Sequence, residues 1–463
     1  MNYYLYYLNI YLYYLNIYFI YLPKMAENAL IEASKKGDLI QLNQLIQKNV
    51  NVNYTDKDGC SALMHASCKG FLEIITTLLD NGANRFIKDK YNWNCIMISS
   101  VWFRKDVIDT ILNYQCIEPS TKEILLFNRD VYGRNIFIYA CRIGNIDFII
   151  FLLDKNIDIN EKDVYGWTAL MYAIVRNNFN VVELLFNNNV KLNIKNNDGE
   201  TELILASEEG YLDIVKLLLL NGSDINSADV NGYTALIHAV KKGHIHIINE
   251  LLSNNFILIN KEDNKGCNAL IYACINQNVE IVKLLLINGS LINKQDYKGM
   301  TSFMYICING NLDIFKLLIA RALINKQDIE GYTALSHACI NNKPEIVELL
   351  LTNGANIHIK DYEYGDTILL CMMLGKCKDV NVDIINMLLL HGANINDKSK
   401  NGETIFDSAV FRIRDIKFMI KKWPVMMSII IFKHLVMYHE LDASTFIDLW
   451  EYIDVEQILY IIN

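Results

Sequence analysis

Proline is almost missing from this chain: Pro23, Pro119, Pro344 and Pro424 are the only four among 463 residues. Pro344 falls where it would open a helix, a position at which the missing N–H costs little. A basic excess is missing too. With 43 Lys and Arg against 52 Asp and Glu, the net charge is −9, which argues against nucleic acid as a partner, because such binders usually carry a basic stripe. The motifs of hydrolytic and nucleotide chemistry are absent. There is no Gly-x-x-x-x-Gly-Lys-Ser/Thr phosphate loop, no His-Glu-x-x-His helix and no Gly-x-Ser-x-Gly nucleophile turn, so neither an enzyme nor a cofactor is expected. The cysteines number 11, and an odd count excludes a full set of intrachain disulfides. No Cys/His pairs recur at ligand spacing, and Cys371 with Cys377 lacks partners nearby in sequence, so no metal centre is expected. Free thiols point to a reducing compartment, and the expected location is cytoplasmic.

What the chain does have is a period. Glycines at 133, 166, 199, 232, 266, 299, 331 and 365 fall 33, 33, 33, 34, 33, 32 and 34 residues apart. A period of this length signals small supersecondary units that bury a continuous core only by stacking on their neighbours. One unit, residues 162–193, begins with a polar turn closed by Gly166. Thr168 then suits a helix N-cap, and Leu170 and Ala173 share one helical face. A second helix follows the Asn177-Asn178 break, carries Val181, Val182, Leu184 and Leu185, and ends near Asn189. Along the chain that end position reads Asn156, Asn189, Gly222, Asn255, Gly289 and Gly354. Both residue types tolerate the left-handed conformation that stops a helix. An extended, Asn-containing segment leads to the next turn.

Stretches such as "DVYGWTALMYA", "DVNGYTALIHA", "DIEGYTALSHA" and "GYLDIVKLLLLNGSDIN" resemble ankyrin repeats. The resemblance implies an all-α solenoid of helix-turn-helix units with short projecting β-hairpins, and a concave face that binds other proteins. About a dozen units are expected over 26–422, with degenerate stretches near 90–128 and 366–422. The Asn- and Ile-rich, proline-poor style is similar to the ankyrin arrays of large DNA viruses of amoebae, which would place the protein in a host cytoplasm.

Departures from the family pattern mark where that implication weakens. The favoured Thr-Pro-Leu-His is replaced by Thr168-Ala169-Leu170-Met171, Thr234-Ala235-Leu236-Ile237 and Thr333-Ala334-Leu335-Ser336, so the bond between units that this histidine makes is lost. One residue later stand His65, Tyr139, Tyr172, His238, Tyr272, Tyr305 and His337, rings expected to stack along the first helices. From Gly59 to Gly133 is 74 residues, where two periods take about 66, so a loop of extra residues is expected around Gln115 to Glu123. A second insertion is expected near Lys376 to Asn381. Cys141, Cys274, Cys307 and Cys339 share one column and read as small buried apolar residues.

At the N-terminus, residues 1–25 form a Tyr-rich, low-complexity segment in which "YLYYLNI" occurs twice in succession and no charge precedes Lys24. Its length approaches the ~20 residues of a membrane span, which keeps an anchor through residues 1–22 as an alternative. Tyr prefers the membrane interface, however, and Asn9 and Asn16 would be buried. Expansion of low-complexity sequence, or translation upstream of a start at Met25, is the preferred reading. At the C-terminus, residues 423–463 read as a helical cap. Viral ankyrin proteins can carry an F-box-like segment there, but no Leu-Pro entry motif is present.

The function expected is non-catalytic: a monomeric scaffold that binds a partner protein through its concave face and hairpin tips. The alternative is an adaptor that recruits substrates to a ubiquitin ligase through its C-terminal helices. Candidate partner-binding residues are Tyr132, Arg134, Tyr165, Trp167, Tyr233 and Tyr332 at the tips, with Arg176, Lys241 and Lys242 at the first-helix ends, because large aromatics and Arg dominate interfaces. The basic cluster Lys241, Lys242, His244 and His246 lies one period after Glu208 and Glu209 and reads as a solvated face of mixed charge. Asp198 and Glu200 read as exposed turn residues.

Overall fold

The computed structural model describes residues 24–102, 104–115, 119–155, 157–373, 381–394 and 396–404. The N-terminal segment through residue 22, the C-terminal residues 423–463 and most of the Lys376 to Asn381 insertion lie outside them. The chain divides between Ile257 and Leu258 into two compact units.

In the first unit, helices over 24–36 and Leu39–Ile46 precede a run of paired helices. The pairs are Ala62–Lys69 with Leu72–Asp80, Cys95–Val101 with Lys105–Asn113, and Ile136–Ile143 with Ile146–Leu153. Ala169–Val175 with Phe179–Asn187, Glu202–Glu209 with Leu212–Leu220, and Ala235–Lys242 with Ile245–Leu252 complete it. The second unit holds Ala269–Ile275 with Val279–Ile287, Ser302–Asn309 with Leu312–Leu318, Ala334–Ile340 with Pro344–Thr352, and Ile368–Met373 with Val382–Leu390. Among the described residues, strands shrink to isolated antiparallel bridges such as Lys162 with Thr168 and Gln295 with Thr301. Each unit is the all-α solenoid that the period implies.

The first helix of each pair from Ala62–Lys69 to Ala334–Ile340 starts where a capping side chain stands. Thr168 is extended, and its hydroxyl accepts a hydrogen bond from the Met171 N–H at 3.3 Å; Ser61, Asn94, Asn135, Thr234 and Thr333 do the same in their own pairs. The first helix of a pair is covered on nearly all sides, as the unbroken buried run Ile136 to Cys141 shows. The second is amphipathic and buries i, i+1 and i+4, as in Val181, Val182 and Leu185 or Ile214, Val215 and Leu218, with i+5 added in some pairs, as at Leu79. Leu184 is half-buried on the edge of that stripe. Pro344 does open a second helix.

The left-handed stops appear at Asn189 (φ 58°), Gly222, Gly289 and Gly354. Asn255 is an exception. The helix Ile245–Leu252 is one residue shorter than Leu212–Leu220, and Ser253 ends it in a right-handed conformation, so no left-handed residue is needed at 255. The extra residues after Asn113 are also not simply a loop. They include the helix Pro119–Leu126, which starts on one of the four prolines, at the first helical position that favours it. The column Cys141, Cys274, Cys307 and Cys339 is buried, and none of the four forms a disulfide.

Candidate interaction surface

The hairpin tips are built on one carboxylate per turn. In Asp163, Oδ1 accepts hydrogen bonds from the Tyr165 and Trp167 N–H groups, both at 2.9 Å, and Oδ2 accepts from the Tyr172 hydroxyl at 2.7 Å. The same three-point bond joins Asp56 to His65, Asp130 to Tyr139, Asp229 to His238, Asp263 to Tyr272, Asp296 to Tyr305, and Asp328 to His337, always nine residues on. The ring column expected to stack along the first helices thus turns its polar tips to carboxylates of its own hairpins. These aspartates are mostly buried. Burial, then the bonded carboxylate, pushes the Tyr139, Tyr172 and Tyr305 hydroxyls well above their ordinary range, so each stays a donor. Where a carboxylate is not needed the pattern relaxes: Asn196 keeps the turn bond to the Glu200 N–H at 2.8 Å, and the residue nine on is Leu205.

Successive tips are tied by backbone bonds. Within the first unit, N–H groups of Lys90, Val131, Val164, Asn197 and Val230 donate to the carbonyls of Asp58, Tyr91, Tyr132, Tyr165 and Asp198; within the second, Tyr297, Ile329 and Tyr362 donate to Lys265, Lys298 and Glu330. The fit leaves no room for a side chain at the closing glycine. A Cβ on Gly331, whose φ is +90°, would lie 2.5 Å from the Tyr362 nitrogen. Behind the tips, the Asn of the extended segment makes a second tie. Asn193 Oδ1 accepts from the Asp224 N–H, Asn260 Oδ1 from Leu291 and Asn293 Oδ1 from Leu323, each at 2.8–2.9 Å.

On this frame the sequence candidates occupy different environments. Tyr132 and Tyr165 are exposed, at 39% and 53%, and their rings stack with centroids 6.3 Å apart. Tyr91, Val131 and Val164 are exposed on the same three tips, so the first unit presents an apolar ridge. Arg134 instead turns inward. Its Nε lies 2.8 Å from Asp130 Oδ2, and its guanidinium covers the rings of Tyr132 and Tyr139. Trp167, Tyr233 and Tyr332 are half-buried, each ring against the helix residue that its hairpin carboxylate holds: Tyr172, His238 and His337 respectively.

Among the helix-end candidates, Arg176 is exposed, and the Lys241 ammonium lies 3.7 Å from the Tyr233 ring centroid. Lys242 pairs with Glu208 at 3.3 Å, as a face of mixed charge requires. Asp198 is exposed, whereas Glu200 is half-buried and bonded to Asn196 Nδ2. Sequence reasoning passed over the buried aspartates and Glu202. The signal for the former was present, as Asp followed nine residues later by His or Tyr.

No helix among the described residues is long and apolar enough to cross a membrane. No curated protein matches the chain. A family model described as ankyrin repeats (3 copies) matches residues 30–123, 118–196, 203–296 and 288–361, well over half of the sequence. By its period, its capped helix pairs, its braced hairpin tips and this match, the chain belongs to the ankyrin repeat family.

Proposed function

We propose that the protein is a monomeric, non-catalytic scaffold that captures a partner protein on the hairpin tips of its first unit. The observation that carries this reading is the ridge of Tyr91, Val131, Tyr132, Val164 and Tyr165. Exposed tyrosines held by a rigid backbone lose little conformational entropy on binding, and aromatic anchors supply most of the energy of an interface. The bonds Val131 N–H to Tyr91 and Val164 N–H to Tyr132, at 3.0 and 2.9 Å, fix the ridge in place before any partner arrives. Arg176, Lys241 and Lys242 lie at first-helix ends, with the Lys241 ammonium over the Tyr233 ring. Contact there extends the surface with charge at its rim, where it steers association more than it adds affinity.

Affinity co-purification with mass spectrometry, using the full chain beside a chain ending before Pro424, tests this function. The scaffold reading expects both chains to recover the same partner without ligase subunits. Recovery of ligase subunits by the full chain alone would replace it with the adaptor reading.

A further inference from the structure

One hairpin of the first unit gathers three metal-ligating side chains that sequence spacing alone does not suggest. A carboxylate oxygen of Asp56, Cys60 Sγ and a ring nitrogen of His65 all lie within 4.8 Å of one another, and the three residues are half-buried, open enough for an ion to reach. Asp56 and His65 form the bracing pair of this hairpin, 2.9 Å apart. Cys60 holds the position taken by Trp167, Tyr233 and Tyr332 in other hairpins, over the helix residue that the carboxylate holds.

The next hairpin brings a further carboxylate, Asp89, near these three. The Cys60 N–H is bound to Asp56 Oδ1 at 2.9 Å, and the backbone of Asp89 packs against Gly59, where an added Cβ would lie 3.0 Å from the Asp89 Cα. The second unit shows what the thiol in this column reaches: Cys267 Sγ donates to Asp296 Oδ2, the carboxylate of the following hairpin, at 3.8 Å. There, Asp296 Oδ2 also accepts from Tyr305. Asp89 differs. Its Oδ1 accepts from the Tyr91 and Trp93 N–H groups, but the residue nine on is Ile98, which offers no donor to Oδ2.

We propose that Asp56, Cys60 and His65, completed by Asp89, bind a divalent ion of the zinc class. Thiolate, imidazole and carboxylate together are the donors such ions take in four-coordinate sites. The Asp56–His65 pair needs little movement, because bonds of ~2.0 Å to nitrogen and oxygen in a tetrahedron separate the two donors by about 3.3 Å, against 2.9 Å between His65 Nε2 and Asp56 Oδ2 now. The ion takes the place of the proton between them, and that proton moves to Nδ1. The thiol supplies the second change: Cys60–SH and the ion give Cys60–S–metal and one proton, which leaves to solvent.

The electrostatics favour a cation. The carboxylates of Asp56, Asp89 and Asp58 all act on the thiol position, and of these Asp58 is paired with a lysine, Lys90 at 2.8 Å. The cation Lys35, which also acts on that position, is paired with Glu32. A divalent ion relieves the crowding of negative charge.

Titration of the reduced full chain with Co²⁺ tests the site. The expected result is one equivalent bound, with thiolate-to-cobalt charge transfer in the near ultraviolet and the intense visible bands of four-coordinate cobalt, all bleached by Zn²⁺. Cys60→Ser removes the charge-transfer band, and Asp89→Asn, which keeps the Oδ1 turn bonds, weakens affinity about tenfold or more. Cys267→Ser leaves the spectrum unchanged. Both Cys60→Ser and Asp89→Asn leave the Asp56–His65 pair in place, so folding is preserved for the comparison. Absence of a charge-transfer band at stoichiometric cobalt, or its persistence in Cys60→Ser, overturns the proposal.

Discussion

Replacing Asp130 with alanine is expected to cost about 3–5 kcal/mol of stability, because it leaves the largely covered Arg134 guanidinium without the carboxylate it pairs with. The Asp130 side chain is fully covered and that of Arg134 is 17% exposed, with Nη2 to Oδ2 at 2.7 Å. The same carboxylate accepts from the Tyr132 and Arg134 N–H groups and the Tyr139 hydroxyl at 2.8–2.9 Å. Alanine leaves these donors without an acceptor, and leaving buried donors unmet costs more than forming the bonds gains. Arg134→Met in the Asp130→Ala background should recover part of the loss, since removing both charges spares the fold an unpaired ion. Urea unfolding of the full chain, followed by the fluorescence of Trp93, whose ring sits 4.7 Å from that of Tyr139, measures both effects. A loss below ~1 kcal/mol for Asp130→Ala, the scale of one ordinary hydrogen bond, would show that the carboxylate does not brace the tip.

Glu202 gives the second large effect, in pH dependence. It is fully buried in the column that holds Ala169 and Ala235 in neighbouring repeats. Its carboxylate accepts from the N–H groups of Asn193, which is left-handed at φ 61°, and Ile194, at 3.0 and 3.3 Å. Burial pushes its carboxyl up to about 7, from 4.5, against the pull of those donors and of Lys162. A folded pKa above the unfolded one means that the protonated form fits the fold better. The relative stabilisation is therefore full below pH 4.5, falls as pH rises through 7, and is gone above it. The span corresponds to roughly 3 kcal/mol at 1.36 kcal/mol per unit.

Glu202→Gln keeps an acceptor for Asn193 and Ile194 and cannot ionise. The stability of the wild type minus that of this variant should fall by about that amount between pH 4.5 and pH 8. Taking the difference cancels the other titrating groups, Asp56 among them. Burial alone would raise that carboxyl, but His65 and the Cys60 and Asp58 N–H groups hold it below its ordinary value. A difference that stays flat with pH would mean that water reaches Glu202.

The two residues also show how legible the fold was. Capping hydroxyls, left-handed stops and the i, i+1, i+4 stripe act within a few residues of sequence, so Thr168, Asn189 and Val181 announce themselves. Burial of an aspartate does not. Asp130 and Asp163 look like solvent-facing turn residues until the next hairpin is tied to theirs, as Val164 is to Tyr132 and Asn197 to Tyr165. Glu202 is harder still, since nothing local distinguishes a glutamate pointing into the preceding segment from one facing solvent. Among the interface candidates, exposure depended on which neighbour each ring met. Tyr132 and Tyr165 lie at the outermost turn position and meet each other, whereas Trp167, Tyr233 and Tyr332, two residues on from that position, fold down over the first helix. The helix Pro119–Leu126 was signalled by its proline and masked by the broken period around it.

The central claim is that buried carboxylates hold the tips so that exposed rings can take a partner. Its most direct test pairs two readings on one variant, Tyr132→Ala with Tyr165→Ala in the full chain: partner recovery by quantitative co-purification, and thermal unfolding. The rings are exposed and make no bond to the bracing carboxylates, so a partner recovered by the wild type should be lost while the melting temperature stays within about 2 °C, as expected of substitutions at the surface. Equal recovery of that partner by variant and wild type would contradict the account.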